Sequence, residues 1–162
     1  MSRATIERFY TAFAKLDADT MQACYAPDAR FDDEAFSLQG APAIGGMWRL
    51  LCGATKAKGL ADWKLDFSQI TDTSAHWDAH YRFSATGRLV LNRIDAQFKF
   101  NDQGLITRHR DRFDFWAWSR QALGTPGLLL GWSPMLRRKV RATAAANLEK
   151  FMAQATQPAK AA

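Results

Sequence analysis

The spacing of apolar side chains changes character near residue 60, and that change constrains the fold more than any other feature. Ile6, Phe9, Tyr10 and Phe13 recur at i, i+3, i+4 and i+7, which is one face of a helix over residues 5–16. Asp17-Ala-Asp19 interrupts it, and Asp19 is placed to cap a short second helix over 20–25 that stops at Pro27. Residues 29–36 read as a strand and 37–42 as a turn. Residues 43–56 read as a third helix with Met47, Leu50 and Leu51 on its buried side.

Beyond Gly59 the period drops to two. Trp63, Leu65, Phe67 and Ile70 mark one strand. Residues 76–85, 88–100 and 105–116 form three more, joined by the turn signals Thr86-Gly87 and Asn101-Asp-Gln-Gly104. Helices followed by hairpin-linked strands predict an α+β domain with a curved, mainly antiparallel sheet. After Trp118 the pattern changes again. Ser119–Leu123 reads as helical, Gly124-Thr-Pro-Gly127 as a break, and 134–153 as a basic amphipathic helix. Its stripe is Leu136, Val140, Ala144, Leu148, Phe151 and Met152, and residues 157–162 are expected to fray.

The chain has 162 residues, enough for one domain with a sizeable core. Its net charge of +6 is unevenly placed. Residues 1–115 hold 15 Lys+Arg and 15 Asp+Glu, whereas 116–162 hold seven bases and one acid. Basic readers of nucleic acid set stacking aromatics or a known module beside such a cluster, and the basic helix has neither. Nucleic acid and membrane are therefore not the expected partners. Cys24 and Cys52 lack disulfide-framework or metal-ligand spacing. The N-terminus has no apolar signal core, and the most apolar short run, Gly127 to Trp132, is too short to span a bilayer. A cytoplasmic location is expected.

Two polar stripes carry candidate chemistry. His76, Asp78, His80 and Arg82 share one face of their strand, with Trp77, Ala79, Tyr81 and Phe83 on the other. Imidazoles flanking a carboxylate suit acid–base work, because histidine titrates near neutrality and the carboxylate fixes its tautomer. A solvated polar face gives the same pattern. A metal reading lacks a fourth ligand, and no metal is expected. On the last strand Thr107, His109, Asp111 and Phe113 share one face, opposite Arg108, Arg110 and Arg112. Arginines repel on a shared face unless solvated or paired, so His109 and Asp111 are expected to point inward. In Asp32-Asp33-Glu34 only alternate members share a face, which lets Asp33 point in; an acid-rich turn is the other reading. No glycine-rich phosphate loop or nucleophile elbow is present, and no cofactor is expected.

The element order, with Tyr25-Ala-Pro-Asp-Ala-Arg-Phe-Asp-Asp33 and Gly104-Leu-Ile-Thr-Arg-His-Arg-Asp-Arg-Phe-Asp114, resembles the nuclear transport factor 2-like superfamily over residues 5–118. That superfamily includes ketosteroid isomerase, SnoaL-like polyketide cyclases, scytalone dehydratase and limonene epoxide hydrolase. The resemblance implies a cone-shaped sheet wrapped around N-terminal helices over residues 1–118; the C-terminal helical extension over 119–162, read from the residue pattern, lies outside the shared core and is expected to pack on or beside it in the same structural domain. It places Asp33 where ketosteroid isomerase keeps its general base. Phe9 falls at that enzyme's oxyanion tyrosine and Ala96 near its protonated aspartic acid. It matches Asp111 to the final-strand aspartate of limonene epoxide hydrolase and His76-x-Asp78 to an Arg-x-Asp pair. Phe31 and Asp33 fall at that enzyme's water-holding positions.

The expected function is cofactor-independent acid–base catalysis on a small, mostly apolar or amphipathic molecule, by a SnoaL-like hydrolase, isomerase or lyase. The reactions in view are epoxide or lactone hydrolysis, dehydration and isomerisation. Asp33, Asp78, Asp111, His80 and His76 are the candidate catalytic residues. Phe9, Phe13, Phe31, Trp48, Phe98, His109 and Phe113 are the candidate pocket. The alternative is a non-catalytic small-molecule-binding or accessory dimeric module. The resemblance also implies a homodimer through the sheet.

Overall fold

Ile6, Phe9, Tyr10 and Phe13 all lie on the buried face of α1 (Ser2–Ala14), as their spacing requires. The structure is a computed structural model and describes residues 2–156. The tail over 157–162 lies outside the described residues. The short helix α2 (Ala18–Gln22) is capped by Asp17, whose side chain accepts from the Thr20 N–H; the cap expected at Asp19 falls two residues earlier.

Strand β1 (Tyr25–Asp32) begins four residues before its expected start and runs through Pro27. A proline gives no N–H to a ladder. The pairing of β1 with the last strand accommodates it by a register shift between Tyr25 and Arg30. A short strand β2 (Ser37–Gln39) occupies part of the expected turn and pairs with β1. Helix α3 (Ala41–Ala57) starts with Pro42 in its first turn. A single 3₁₀ turn over Leu60–Asp62 leads into β3 (Lys64–Ser68), β4 (Ser74–Arg82), β5 (Leu89–Phe100) and β6 (Ile106–Arg112). The sheet order is β2-β1-β6-β5-β4-β3. Among the described residues only β1 and β6 pair in parallel; the other pairs are antiparallel. The curved sheet wraps α1 and α3 as a cone.

Strand β6 stops at Arg112, not 116. Asp114 turns the chain by accepting from the Ala117 N–H, which caps α4 (Phe115–Leu123). Beyond the last β5–β6 pair, Asp95 with Arg112, the backbone of β5 is met by a side chain. Gln121 accepts from the Leu91 N–H and donates to the Leu91 carbonyl, so α4 continues the pairing that β6 abandons. The expected break at 124–127 instead opens a helical turn, α5 (Thr125–Leu130), because Pro126 fits the first turn of a helix. Helix α6 (Pro134–Ala155) is capped by Ser133.

The main core fills the closed end of the cone with Phe9, Phe13, Phe31, Trp48 and Phe98. A second cluster, Val90, Phe115, Trp118 and Ala122, forms under the C-terminal helices, with Leu136 and Val140 of α6 against it. Among the described residues no helix is long and apolar enough to cross a membrane.

Candidate active site

A cavity of about 170 Å³ opens between α3, β4, β5 and β6. Phe13, Trp48, Trp77 and Phe113 make most of its wall apolar, and Asp33, Asp111 and Tyr81 supply polar groups. These three come from separate parts of the chain, and each is aimed by a local rule.

Asp33 follows β1 in the tight link to β2. Its Oδ1 accepts the Ala35 N–H at 2.7 Å and the Phe36 N–H at 2.5 Å, a turn that aspartate makes readily. Among the described residues its Oδ2 has no hydrogen-bond partner, and Asp33 lines the cavity. Burial pushes the Asp33 carboxyl up to about 7, and the Asp111 charge adds to the rise against the pull of the two N–H donors and Arg141.

Asp111 faces inward on β6, as its alternation with the arginines requires, and is 3% exposed. Its Oδ1 lies 2.9 Å from His109 Nε2, and its second oxygen is open to the cavity. His109 is fully buried among aromatic rings, with Phe98 at 4.3 Å and Phe31 at 5.0 Å between centroids. Its Nδ1 lies 2.6 Å from the Tyr25 hydroxyl, which also accepts the Trp48 indole N–H at 3.2 Å. The indole can only donate, so the Tyr25 proton is free to go to Nδ1, and the imidazole proton then sits on Nε2 and points at Asp111. Trp48, Tyr25, His109 and Asp111 thus form one polarised chain ending at the cavity.

Tyr81 lies on the inner face of β4. Its oxygen accepts the Trp118 indole N–H at 2.9 Å, which leaves its own proton for a ligand. Burial pushes its hydroxyl up to about 12, so it keeps that proton at any working pH. The Trp77 indole N–H is buried in the wall and has no partner among the described residues.

The basic helix braces this site. Arg141 donates to the carbonyl oxygens of Asp33 at 3.0 Å and Glu34 at 3.1 Å. Arg137 pairs with the Glu34 carboxylate at 3.2 Å and lies over the Phe115 ring.

The expectation that His76, Asp78 and His80 face the pocket is corrected. Ala75, Trp77 and Ala79 are buried on the inner face of β4, so the alternate residues stand on the outer face of the sheet. There His76 bridges Asp95 at 2.7 Å and Asp78 at 3.1 Å, which raises its imidazole above the usual value. Of the expected pocket residues, Phe13, Trp48 and Phe113 line the cavity. Phe9, Phe31, Phe98 and His109 lie beneath it in the closed end of the cone. Among the expected catalytic residues, Asp33 and Asp111 share the cavity and the other three do not. Tyr25 and Tyr81 were not singled out from the sequence. Tyr81 has the visible signal of a hydroxyl on an otherwise apolar strand face; Tyr25 has none. Among the described residues no group of three or more His, Cys, Asp or Glu is placed to hold a metal ion.

Residues 6–109 match the model of the SnoaL-like domain. The chain belongs to the SnoaL-like family. The match to the SnoaL-like domain ends two residues before Asp111 and does not include the C-terminal helices. Solved structures share the fold. A candidate polyketide cyclase from Xanthomonas campestris pv. campestris is 20% identical, with a TM-score of 0.57, over 74% of this chain and 95% of that one. An LEH-like epoxide hydrolase from M. tuberculosis is 18% identical, with a TM-score of 0.52, over 79% of this SnoaL-like chain and 92% of that one. An uncharacterised bacterial protein with a cystatin-like fold, from Silicibacter pomeroyi DSS-3, is 14% identical with a TM-score of 0.54. It covers 91% of this chain and 92% of that one, which takes the likeness beyond the cone. No curated protein matches.

Proposed function

We propose that this SnoaL-like chain catalyses an acid–base reaction, without a cofactor, on a small and mostly apolar molecule held in the cone. The observation that carries this reading is the pairing of Asp33 and Asp111 on one apolar cavity, each with one oxygen tied and one open. Asp33 holds a proton up to about pH 7 and is the acid. Asp111, aligned by the His109 N–H, is the base. Tyr81 donates to the oxygen on which charge develops.

Hydrolysis of an epoxide illustrates the balance. The oxygen of water bonds to a ring carbon as that carbon's bond to the epoxide oxygen breaks. The proton leaving the water goes to Asp111, and the Asp33 proton goes to the freed oxygen, giving a diol. Solvent then returns the proton from Asp111 to Asp33. Dehydration or isomerisation uses the same pair, with Asp111 taking a proton from carbon. A cavity of about 150 Å³ accepts benzene, so one of about 170 Å³ selects single-ring or short-chain molecules. The outer sheet face, with Arg93, Asp95, Lys99 and Arg110, is the proposed seat of a second copy through charge pairs.

The reading is tested by screening small epoxides, lactones and enones with wild type, Asp111→Asn and Asp33→Asn. Turnover that falls at least about a hundredfold in both variants supports it. Turnover that survives Asp111→Asn refutes the assignment. Tight binding without turnover across the panel assigns the cavity to a carrier or sensor instead.

A further inference from the structure

The eight residues Leu128-Leu-Leu-Gly-Trp-Ser-Pro-Met135 carry no charge and stand outside both hydrophobic clusters. Leu129, Trp132 and Met135 are 62%, 70% and 60% exposed, and Leu128 and Leu130 are also exposed. Single exposed apolar residues are ordinary, but five within eight positions form a patch.

The patch is held out by design of the backbone. A Cβ on Gly127 would lie 1.8 Å from the Ser119 carbonyl oxygen, and one on Gly131 2.1 Å from Ser119 Oγ, so α5 approaches α4 as only glycine permits. The Trp116 indole donates to the Leu128 carbonyl at 3.1 Å, and the Trp132 indole to the Leu129 carbonyl at 2.9 Å. Both tryptophans therefore have their polar atoms satisfied internally, and the patch shows a solvent mainly its apolar carbon.

The charged residues nearest it in the sequence are basic. Met135, Arg138 and Lys139 follow one another at i, i+3 and i+4 on the exposed side of α6. Arg138 and Lys139 enter no ion pair among the described residues. Arg120 lies over the Trp116 ring at 5.0 Å. No acid occurs between Asp114 and Glu149. A two-fold contact with a second copy would set this basic cluster against itself. An exposed apolar corner with Trp and Leu, with Arg138, Lys139 and Arg120 beside it, matches a surface that is apolar inside and anionic outside.

We propose that the corner formed by α5 and the start of α6 docks onto anionic lipid bilayers, with Leu129, Trp132 and Met135 entering the headgroup boundary and Arg138 and Lys139 meeting lipid phosphates. This is peripheral binding through one face, and it is independent of the chemistry in the cone.

The full chain is sedimented with vesicles of phosphatidylcholine alone and of equimolar phosphatidylcholine and phosphatidylglycerol. Wild type partitions onto the anionic vesicles at least about tenfold more strongly than onto the neutral ones, and high salt weakens the effect. Leu129→Asp with Trp132→Asp, and separately Arg138→Glu with Lys139→Glu, each lower partitioning about tenfold or more while leaving the melting temperature unchanged. The proposal fails if wild type does not partition. It fails if binding survives the aspartate pair, which would be simple adsorption of a polycation. It also fails if the aspartate pair halves the mass seen in sedimentation velocity, which would assign the patch to a second copy.

Discussion

Arg141 Nη1 donates to the carbonyl oxygen of Asp33 at 3.0 Å across 108 positions of sequence. This contact joins the basic C-terminal helix to the candidate acid of the cone. The same guanidinium holds the Glu34 carbonyl, so it fixes the turn from which the Asp33 side chain reaches the cavity. Its charge also works against the upward push of burial on the Asp33 carboxyl.

Replacing Arg141 with alanine therefore does two things. It costs about 1–3 kcal/mol of stability, as two carbonyls lose a charged donor. It also moves the Asp33 carboxyl further above about 7, because a favourable positive charge is gone. Urea unfolding checks the first outcome. An upward move of the basic limb of the pH–rate profile checks the second.

Asp33→Asn tests the burial of that carboxyl by stability alone. The ordinary value is 3.8 and the folded value about 7, so between these the folded chain holds a proton that the unfolded chain has released. Stability then falls as pH rises through this window. Asparagine keeps the oxygen that accepts from Ala35 and Phe36 but has no charge to bury. At pH 8 the variant is expected to be roughly 2–4 kcal/mol more stable than wild type, and near pH 4 about equal. Equal curves at pH 8 would refute the raised value.

Tyr25→Phe removes the hydroxyl between the Trp48 indole and His109 Nδ1. Two buried polar atoms lose their partner, at about 1–3 kcal/mol. Asp111 keeps its contact with His109 but loses the group that fixes the imidazole tautomer. On the substrate found by the screen, kcat is expected to fall roughly ten- to hundredfold with KM little changed. A change confined to KM would place Tyr25 in binding instead.

His76→Gln tests the outer stripe. His76 meets Asp95 and Asp78 on the face away from the cavity, so turnover is expected to stay within about twofold of wild type. The Asp95 and Asp78 carboxylates raise the His76 imidazole above 6.5. Its contribution to stability is full below that value and is lost as pH rises through the folded value. Its imidazole NMR shift against pH reads the folded value directly, and a midpoint below 6.5 would contradict the bridged geometry.

The aspartates of the cone show how far sequence reached. Asp111 was legible because three arginines on alternate positions of β6 forced it to the other face. Asp33 was half legible: its neighbours allowed it to point inward, and only the turn at Ala35 and Phe36 decided that it does. His76, Asp78 and His80 were misplaced because likeness of sequence suggested the pocket. The burial of Trp77 and Ala79 decides the face of β4, since a strand turns its more apolar side to the core.

The sequence by itself determined most of the helices and strands, though not β2, α5 or the ends of β1 and β6, and it determined which residues share a strand face, because helical and extended backbones impose periods of 3.6 and two on any chain. It also determined where the excess charge lies. Only the tertiary structure decided that Asp33, Asp111 and Tyr81 meet on one cavity, that Tyr25 and Trp48 align the histidine below it, and that Arg141 returns to grip residue 33. Those contacts join segments tens of residues apart, and no local periodicity encodes which distant side chain completes a buried hydrogen bond. The physical requirement that each buried polar group find a partner made those choices once the core had closed.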